Sequence, residues 1–152
     1  EPIAPHLAAA HVGREIELPP LLAAYQALSL GAHALVVEGA GGWAIPYSDH
    51  LMQADLVRAL KLPVVLVVGI RLGCINHAIL SELAIRADKC ELVGWIANRV
   101  DPDCLYPDEV VATLKEELDA PLLADCAFGA NVDLAAQKLA PALDALGLKR
   151  RA

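Results

Sequence analysis

The chain has 152 residues, 57% of them hydrophobic, and a net charge of −7; its pI is about 5.1 and its mean hydropathy +0.47. That length fits one domain with a real core, and the negative charge, with its basic cluster confined to Lys149-Arg150-Arg151, argues against a nucleic-acid partner. The longest apolar run, Leu62–Ile70, contains Pro63 and Gly69 and falls short of the roughly 18–20 residues of a membrane span, so no membrane partner is expected.

In chain order, Pro19-Pro20 opens a helix over Leu21–Leu30. His33–Glu38 reads as a strand whose apolar run, Ala34-Leu35-Val36-Val37, ends in one carboxylate, with Gly39-Ala40-Gly41-Gly42 directly after. A buried strand does not hold a charge in its middle, so Glu38 belongs at or beyond the carboxyl end, where open parallel sheets bind ligands. The small residues that follow let backbone approach a phosphate or Mg²⁺. On spacing alone, a plain strand exit with a solvated Glu38 is the alternative.

Asp49–Lys61 reads as a helix, with Asp49 as N-cap and Pro63 beyond its end. Val64–Val68 is an apolar, β-branched run, hence a buried strand. Asn76–Ala87 is a helix, Leu92–Ala97 a strand and Asn98–Pro102 a loop. Pro107–Leu118 starts with proline and acids, as a helix dipole prefers. Pro121–Ala124 is a short strand, and Val132–Leu146 is mostly helical despite Pro141.

Strands alternating with helices mean βαβ units. The expected fold is a single α/β domain over residues 1–152: a mainly parallel sheet with helices on both faces, in three layers. The segments 33–38, 64–68, 92–97 and 121–124 should be neighbouring strands, with Glu38, Arg71 and Asn98 near one edge. Cys74, Cys90, Cys104 and Cys126 form no Cys-x-x-Cys, the five histidines are scattered, and no leader is recognisable, so a reduced cytoplasmic setting is expected. The chain holds no Gly-x-x-x-x-Gly-Lys-Ser/Thr and no Gly-x-Gly-x-x-Gly. Nucleotide-handling α/β domains carry their phosphate loop after the first strand. The chain also begins at Glu1-Pro2, so it reads as the carboxyl-terminal larger part of something longer. The portion ahead of it would be on the order of 70 residues, about two βα units of ~30 each.

Four segments carry a family likeness: Glu1-Pro2-Ile3-Ala4-Pro5-His6, Val36-Val37-Glu38-Gly39-Ala40-Gly41-Gly42-Trp43, Val67-Val68-Gly69-Ile70-Arg71-Leu72-Gly73-Cys74-Ile75-Asn76-His77 and Gly94-Trp95-Ile96-Ala97-Asn98. In order and spacing they resemble the dethiobiotin synthetases, and Leu72–His77 is the most specific stretch. The resemblance implies a P-loop NTPase-like fold, a homodimer with active sites near the subunit interface, ATP as co-substrate and Mg²⁺ as cofactor. The implied reaction joins CO₂ to 7,8-diaminononanoate through a phosphorylated carbamate, closing a ureido ring.

Residue by residue, Glu38 matches the family's Mg²⁺-binding glutamate, which makes it the metal ligand and the catalytic residue. Glu38, Gly39, Ala40 and Gly41 match the ATP-contacting turn. Gly73, Cys74 and Asn76 match the segment that holds the diamine's carboxylate tail, across the dimer interface in the family. Asn98 matches the adenine-reading position, Arg99 beside it is expected to bind the nucleotide as well, and Ala127-Phe128-Gly129 fall at further nucleotide contacts, with Ala127 where proline is expected. Arg71 stands where some members have lysine. Plainer readings stay open: Asn76 as a helix N-cap, Asn98 as a turn residue, Cys74, Trp43 and Trp95 as packing, and His77 as structural rather than an acid–base group.

Two other functional readings compete. Related ATPases and amidotransferase synthetases share the strand-then-acid element but not Leu72–His77. A non-catalytic dimerisation module would also fit a chain with no phosphate cradle. On either enzyme reading, the 152 residues alone are expected to be inactive.

Overall fold

The computed structural model describes residues 2–145, which form two compact units: one from the residues up to Leu62 together with Ala87–Cys90, the other from Pro63–Arg86 and the residues from Glu91 on.

In the first unit, helix α1 (Pro5–His11) and helix α2 (Leu18–Ser29) both carry proline in the first turn, where its missing N–H costs nothing. Strands β1 (Pro46–Ser48) and β2 (Leu51–Met52) make a short antiparallel pair, and helix α3 (Gln53–Leu60) follows β2 without a linker. The helix expected from Asp49 therefore begins four residues later. The hairpin takes Leu51 and Met52, and Asp55 Oδ2 accepts the Met52 N–H at 2.8 Å, the cap that Asp49 was expected to provide. Helix α1 had no counterpart among the expected elements. His6 on it lies 3.2 Å from the Pro46 carbonyl through Nδ1.

The strand expected over 33–38 does not form; the run joins no sheet. Apolar, β-branched composition supplies a strand candidate, but a strand exists only through a hydrogen-bonded neighbour. Here Val36 is 87% exposed.

In the second unit, strands β3 (Val64–Gly69), β4 (Leu92–Asn98) and β5 (Leu122–Cys126) lie in the order β3-β4-β5, all parallel. Helices α4 (Cys74–Ala87) and α5 (Pro107–Glu117) make the two crossovers, and α6 (Val132–Ala145) follows β5 with Pro141 inside it. Parallel neighbours need crossover connections of this length. Three of the four expected strands are thus neighbours in one parallel sheet, and the fold class is α/β. Leu146, the expected end of α6, lies outside the described residues.

Register follows burial. The middle strand β4 buries Leu92, Gly94, Trp95 and Ala97, and Trp95, Ile70, Ile85 and Leu114 are the large side chains wholly removed from solvent. Strand β3 was expected to be buried on both faces, yet Val65 and Val67 are exposed. It sits at the end of the described sheet, with β4 on one side only. Glu82 of α4 is a buried carboxylate held by donors. Its oxygens accept the Asp119 and Ala120 N–H groups at 3.2 Å each, and Arg86 Nε and Nη2 at 3.1 and 2.7 Å. A carboxylate survives burial only when so supplied.

Candidate functional site

The first unit holds the glycine turn after Glu38. Glu38 is exposed. Gly41 has φ of +74°, a left-handed conformation that glycine adopts without strain. Gly39 is required for a different reason. A Cβ there would stand 2.5 Å from Gln53 Oε1 and 2.7 Å from its Cδ and Nε2.

Gln53, the first residue of α3, is buried, and its amide faces this turn. Oε1 accepts the Ala40 N–H at 2.8 Å and the Tyr47 hydroxyl at 3.1 Å, while Nε2 donates to the Gly42 carbonyl at 2.8 Å. Burial pushes the Tyr47 phenol above its ordinary pKa, so it stays a protonated donor at neutral pH. The Trp43 indole N–H donates to Asp88 Oδ2 at 2.7 Å, so Trp43 is anchored as well as packed. Sequence reasoning missed Gln53. Its one signal was an amide among apolar neighbours, between Met52 and Ala54.

Mg²⁺ takes hard oxygen ligands, typically one or two carboxylates with phosphate oxygens and water completing the octahedron. A single exposed carboxylate leading into a backbone turn suits that donor set, so Glu38 fits the ion. The unit also has an open cleft of about 770 Å³, lined by Glu17, Ser48, His50, Asp55 and Arg58 among others. None of the residues expected to be functional lines it.

The second unit gathers the remaining candidates along the carboxyl ends of its strands. Gly69 is aligned with Asn98, and Asn98 with Cys126, so the three strands end level. After β3 the chain turns through Gly73, at φ +90°, into α4. The Cys74 N–H reaches the Arg71 carbonyl at 3.1 Å and the His77 N–H the Gly73 carbonyl at 3.3 Å. Cys74 is buried, whereas Arg71, Gly73, Asn76 and His77 are exposed. Asn76 lies within the first turn of α4, two residues after its start, so it is not the N-cap. A 14-residue helix that starts at the sheet's edge presents its positive end there.

Asn98 closes β4, and its carbonyl accepts the Ile70 N–H at 2.7 Å. Arg99 is tied down. Nε and Nη2 fork onto Asp125 at 2.9 and 2.8 Å, and Nη2 also reaches Asp108 at 2.6 Å. The bonds to Asp125, then to Asp108, raise its pKa further above the usual arginine range, so the cation is permanent but already matched by two carboxylates. Ala127, Phe128 and Gly129 follow β5 and are all exposed. Arg71 and Asn98 therefore share an edge, as expected, together with 73–76 and 127–129. The expectation that Glu38 joins them rested on a 33–38 strand that does not form; Glu38 belongs to the first unit.

The family model for an AAA domain matches residues 1–133. The ATP-dependent dethiobiotin synthetase BioD of Xanthomonas oryzae pv. oryzae (strain PXO99A) is 51% identical over 136 residues, which is 90% of this chain and 61% of that protein. The proteins of the same name from Aromatoleum aromaticum and Baumannia cicadellinicola are 48% and 44% identical, over 87% and 89% of this chain and 59% and 60% of their own lengths. The chain thus spans about three fifths of the curated relatives it matches. A parallel sheet with crossover helices agrees with the P-loop NTPase-like fold of an AAA domain.

Proposed function

Because this chain belongs to the AAA domain family, we propose that the protein carrying it is an ATP-dependent dethiobiotin synthetase, closing 7,8-diaminononanoate and CO₂ into dethiobiotin. The observation that carries the reading is sequence identity of about one half, over nine tenths of the chain, with proteins of that name. The Leu72–His77 stretch weighs against the related ATPases and amidotransferase synthetases.

In the reaction, one amine adds to CO₂ to give a carbamate, and ATP transfers its γ-phosphoryl group to a carbamate oxygen. The second amine then attacks the carbonyl carbon and expels phosphate, leaving dethiobiotin, ADP and phosphate. Little covalent chemistry falls to the protein, which positions groups and neutralises charge. When bound at Glu38, Mg²⁺ supplies charge neutralisation at the transferring phosphoryl group.

Backbone at Gly39, Ala40 and Gly41 lies against the nucleotide. Asn98 offers the donor and acceptor that an adenine edge requires, and Ala127, Phe128 and Gly129 make further nucleotide contacts. Arg99, already matched by Asp125 and Asp108, braces the Asn98 loop. Gly73, Cys74 and Asn76 hold the diamine's carboxylate at the positive end of α4. We read residues 1–152 as part of one α/β domain, and the protein as a cytoplasmic homodimer with its sites near the interface.

The test is product analysis. The full-length protein, given diaminononanoate, bicarbonate and ATP·Mg²⁺, is expected to yield dethiobiotin and ADP in equal amounts by mass spectrometry. ATP turnover with some other acceptor favours a related ATPase, and no turnover at all favours a non-catalytic module.

A further inference from the structure

We propose that Gln53 is a positioning residue for the Glu38–Gly42 turn, fixing through Ala40 and Gly42 the backbone that presents Glu38 to its metal. The inference rests on the reading of that turn as the metal- and ATP-contacting segment. Its physical basis is the pattern of partners. A buried primary amide has an acceptor oxygen and two donor hydrogens to satisfy. This one gives its oxygen to the Ala40 N–H at 2.8 Å and its NH₂ to the Gly42 carbonyl at 2.8 Å. An N–H and a C=O two residues apart are what a neighbouring strand would engage at this point. The 33–38 run has no such neighbour among the described strands, and a side chain performs the task for the residues that follow it.

Three further contacts make Gln53 a firm support. Its own N–H donates to the Ile45 carbonyl at 2.8 Å, so its backbone is fixed where the chain passes from β2 into α3. The Tyr47 hydroxyl, at 3.1 Å from Oε1, occupies the oxygen's remaining capacity and so sets which end of the amide faces Ala40. Gly39 lies so close to the amide that a Cβ would overlap it. The identities of residues 39 and 53 are therefore coupled, since a side chain at 39 would displace the amide and with it both turn contacts. Groups behind a metal ligand tune affinity without touching the metal, commonly by 10–100-fold.

The decisive variant is Gln53→Met in the full-length protein, which keeps the length and bulk of the side chain and removes all three of its hydrogen bonds. Calorimetric titration of ADP at varied Mg²⁺ is expected to show the half-saturating Mg²⁺ concentration rising about tenfold. The thermal midpoint should fall by a few degrees with the loss of these part-buried hydrogen bonds while the protein stays folded, and the KM for diaminononanoate should hold within about twofold, because the α4 segment that would bind it is untouched. Amide exchange followed by NMR should show the Ala40 N–H protected in the wild type and exchanging about tenfold faster or more in the variant, as a lost hydrogen bond requires. A folded Gln53→Met protein with wild-type Mg²⁺ dependence overturns the proposal. If that variant does not fold, the wild type decides: an Ala40 N–H exchanging at the rate of a free loop amide overturns the proposal, and a protected one upholds it. A wild type that makes no dethiobiotin would sink the functional reading alone, since the exchange measurement still tests Gln53.

Discussion

Glu38 and Gln53 divide the glycine turn between them, one presenting a charge and the other holding the backbone behind it. The charge has its own test. Glu38→Gln preserves shape and removes a formal negative charge at an exposed position, so the thermal midpoint should be unchanged. On the proposed function, turnover of the full-length protein should fall by about 10²-fold, the scale for deleting one preorganised electrostatic group from a reacting centre. Steady-state rates equal to wild type across a Mg²⁺ series would return Glu38 to the rank of a solvated residue after an apolar run. Composition made Glu38 visible because a lone carboxylate after four apolar residues is a local signal. Gln53 escaped because its partners in the turn lie 11 and 13 residues away in sequence, and nothing in a helix's first turn says which backbone will fold over it.

Among the elements, α4 and the turn leading into β5 are joined by one carboxylate. Glu82 accepts two backbone N–H groups, from Asp119 and Ala120, as well as the Arg86 guanidinium. Glu82→Ala would leave the buried Ala120 N–H and the part-buried Asp119 N–H without their acceptor, at an expected cost of about 2–4 kcal/mol in urea unfolding. Arg86→Ala should cost far less, because the guanidinium faces solvent and the N–H contacts survive. Equal losses in the two variants would mean that the ion pair, not the backbone contacts, holds the turn. Strands β3, β4 and β5 and helices α4 and α5 were legible to within a residue or two because hydrophobic period and proline punctuation are local properties. The start of α3 was not. A helix signal at Asp49 competes there with a hairpin, and the pairing of Pro46 with Met52 decides the contest.

For the whole molecule, the open question is the phosphate cradle. Such a cradle needs consecutive backbone N–H donors and a lysine, and the 152 residues contain no stretch of that pattern. The 152-residue chain is expected to bind ATP·Mg²⁺ weakly or not at all by calorimetry, while the full-length protein binds it. The shorter chain should also self-associate in light scattering, because Val36 is exposed in a run that joins none of the described strands and Val67 is exposed on β3, which has β4 on one side only among the described strands. Equal affinity for the two would place a phosphate site among residues not yet assigned one. No helix among the described residues is long and apolar enough to cross a membrane.

The sequence alone determined the α/β class, the parallel succession from β3 to β5, and the edge that Arg71 and Asn98 share. Each of these follows from short-range patterning, and a parallel βαβ unit leaves its loops little choice of where to emerge. Tertiary structure decided the rest: that 33–38 pairs with none of the described strands, that Val65 and Val67 of an apolar strand face outward, that Arg99 is bound by Asp125 and Asp108, and that a glutamine shapes the turn after Glu38. All four depend on which groups become neighbours in space. Hydrogen-bond partners distant in sequence are chosen by the packing of the elements that carry them, and no local pattern of residue types encodes that choice.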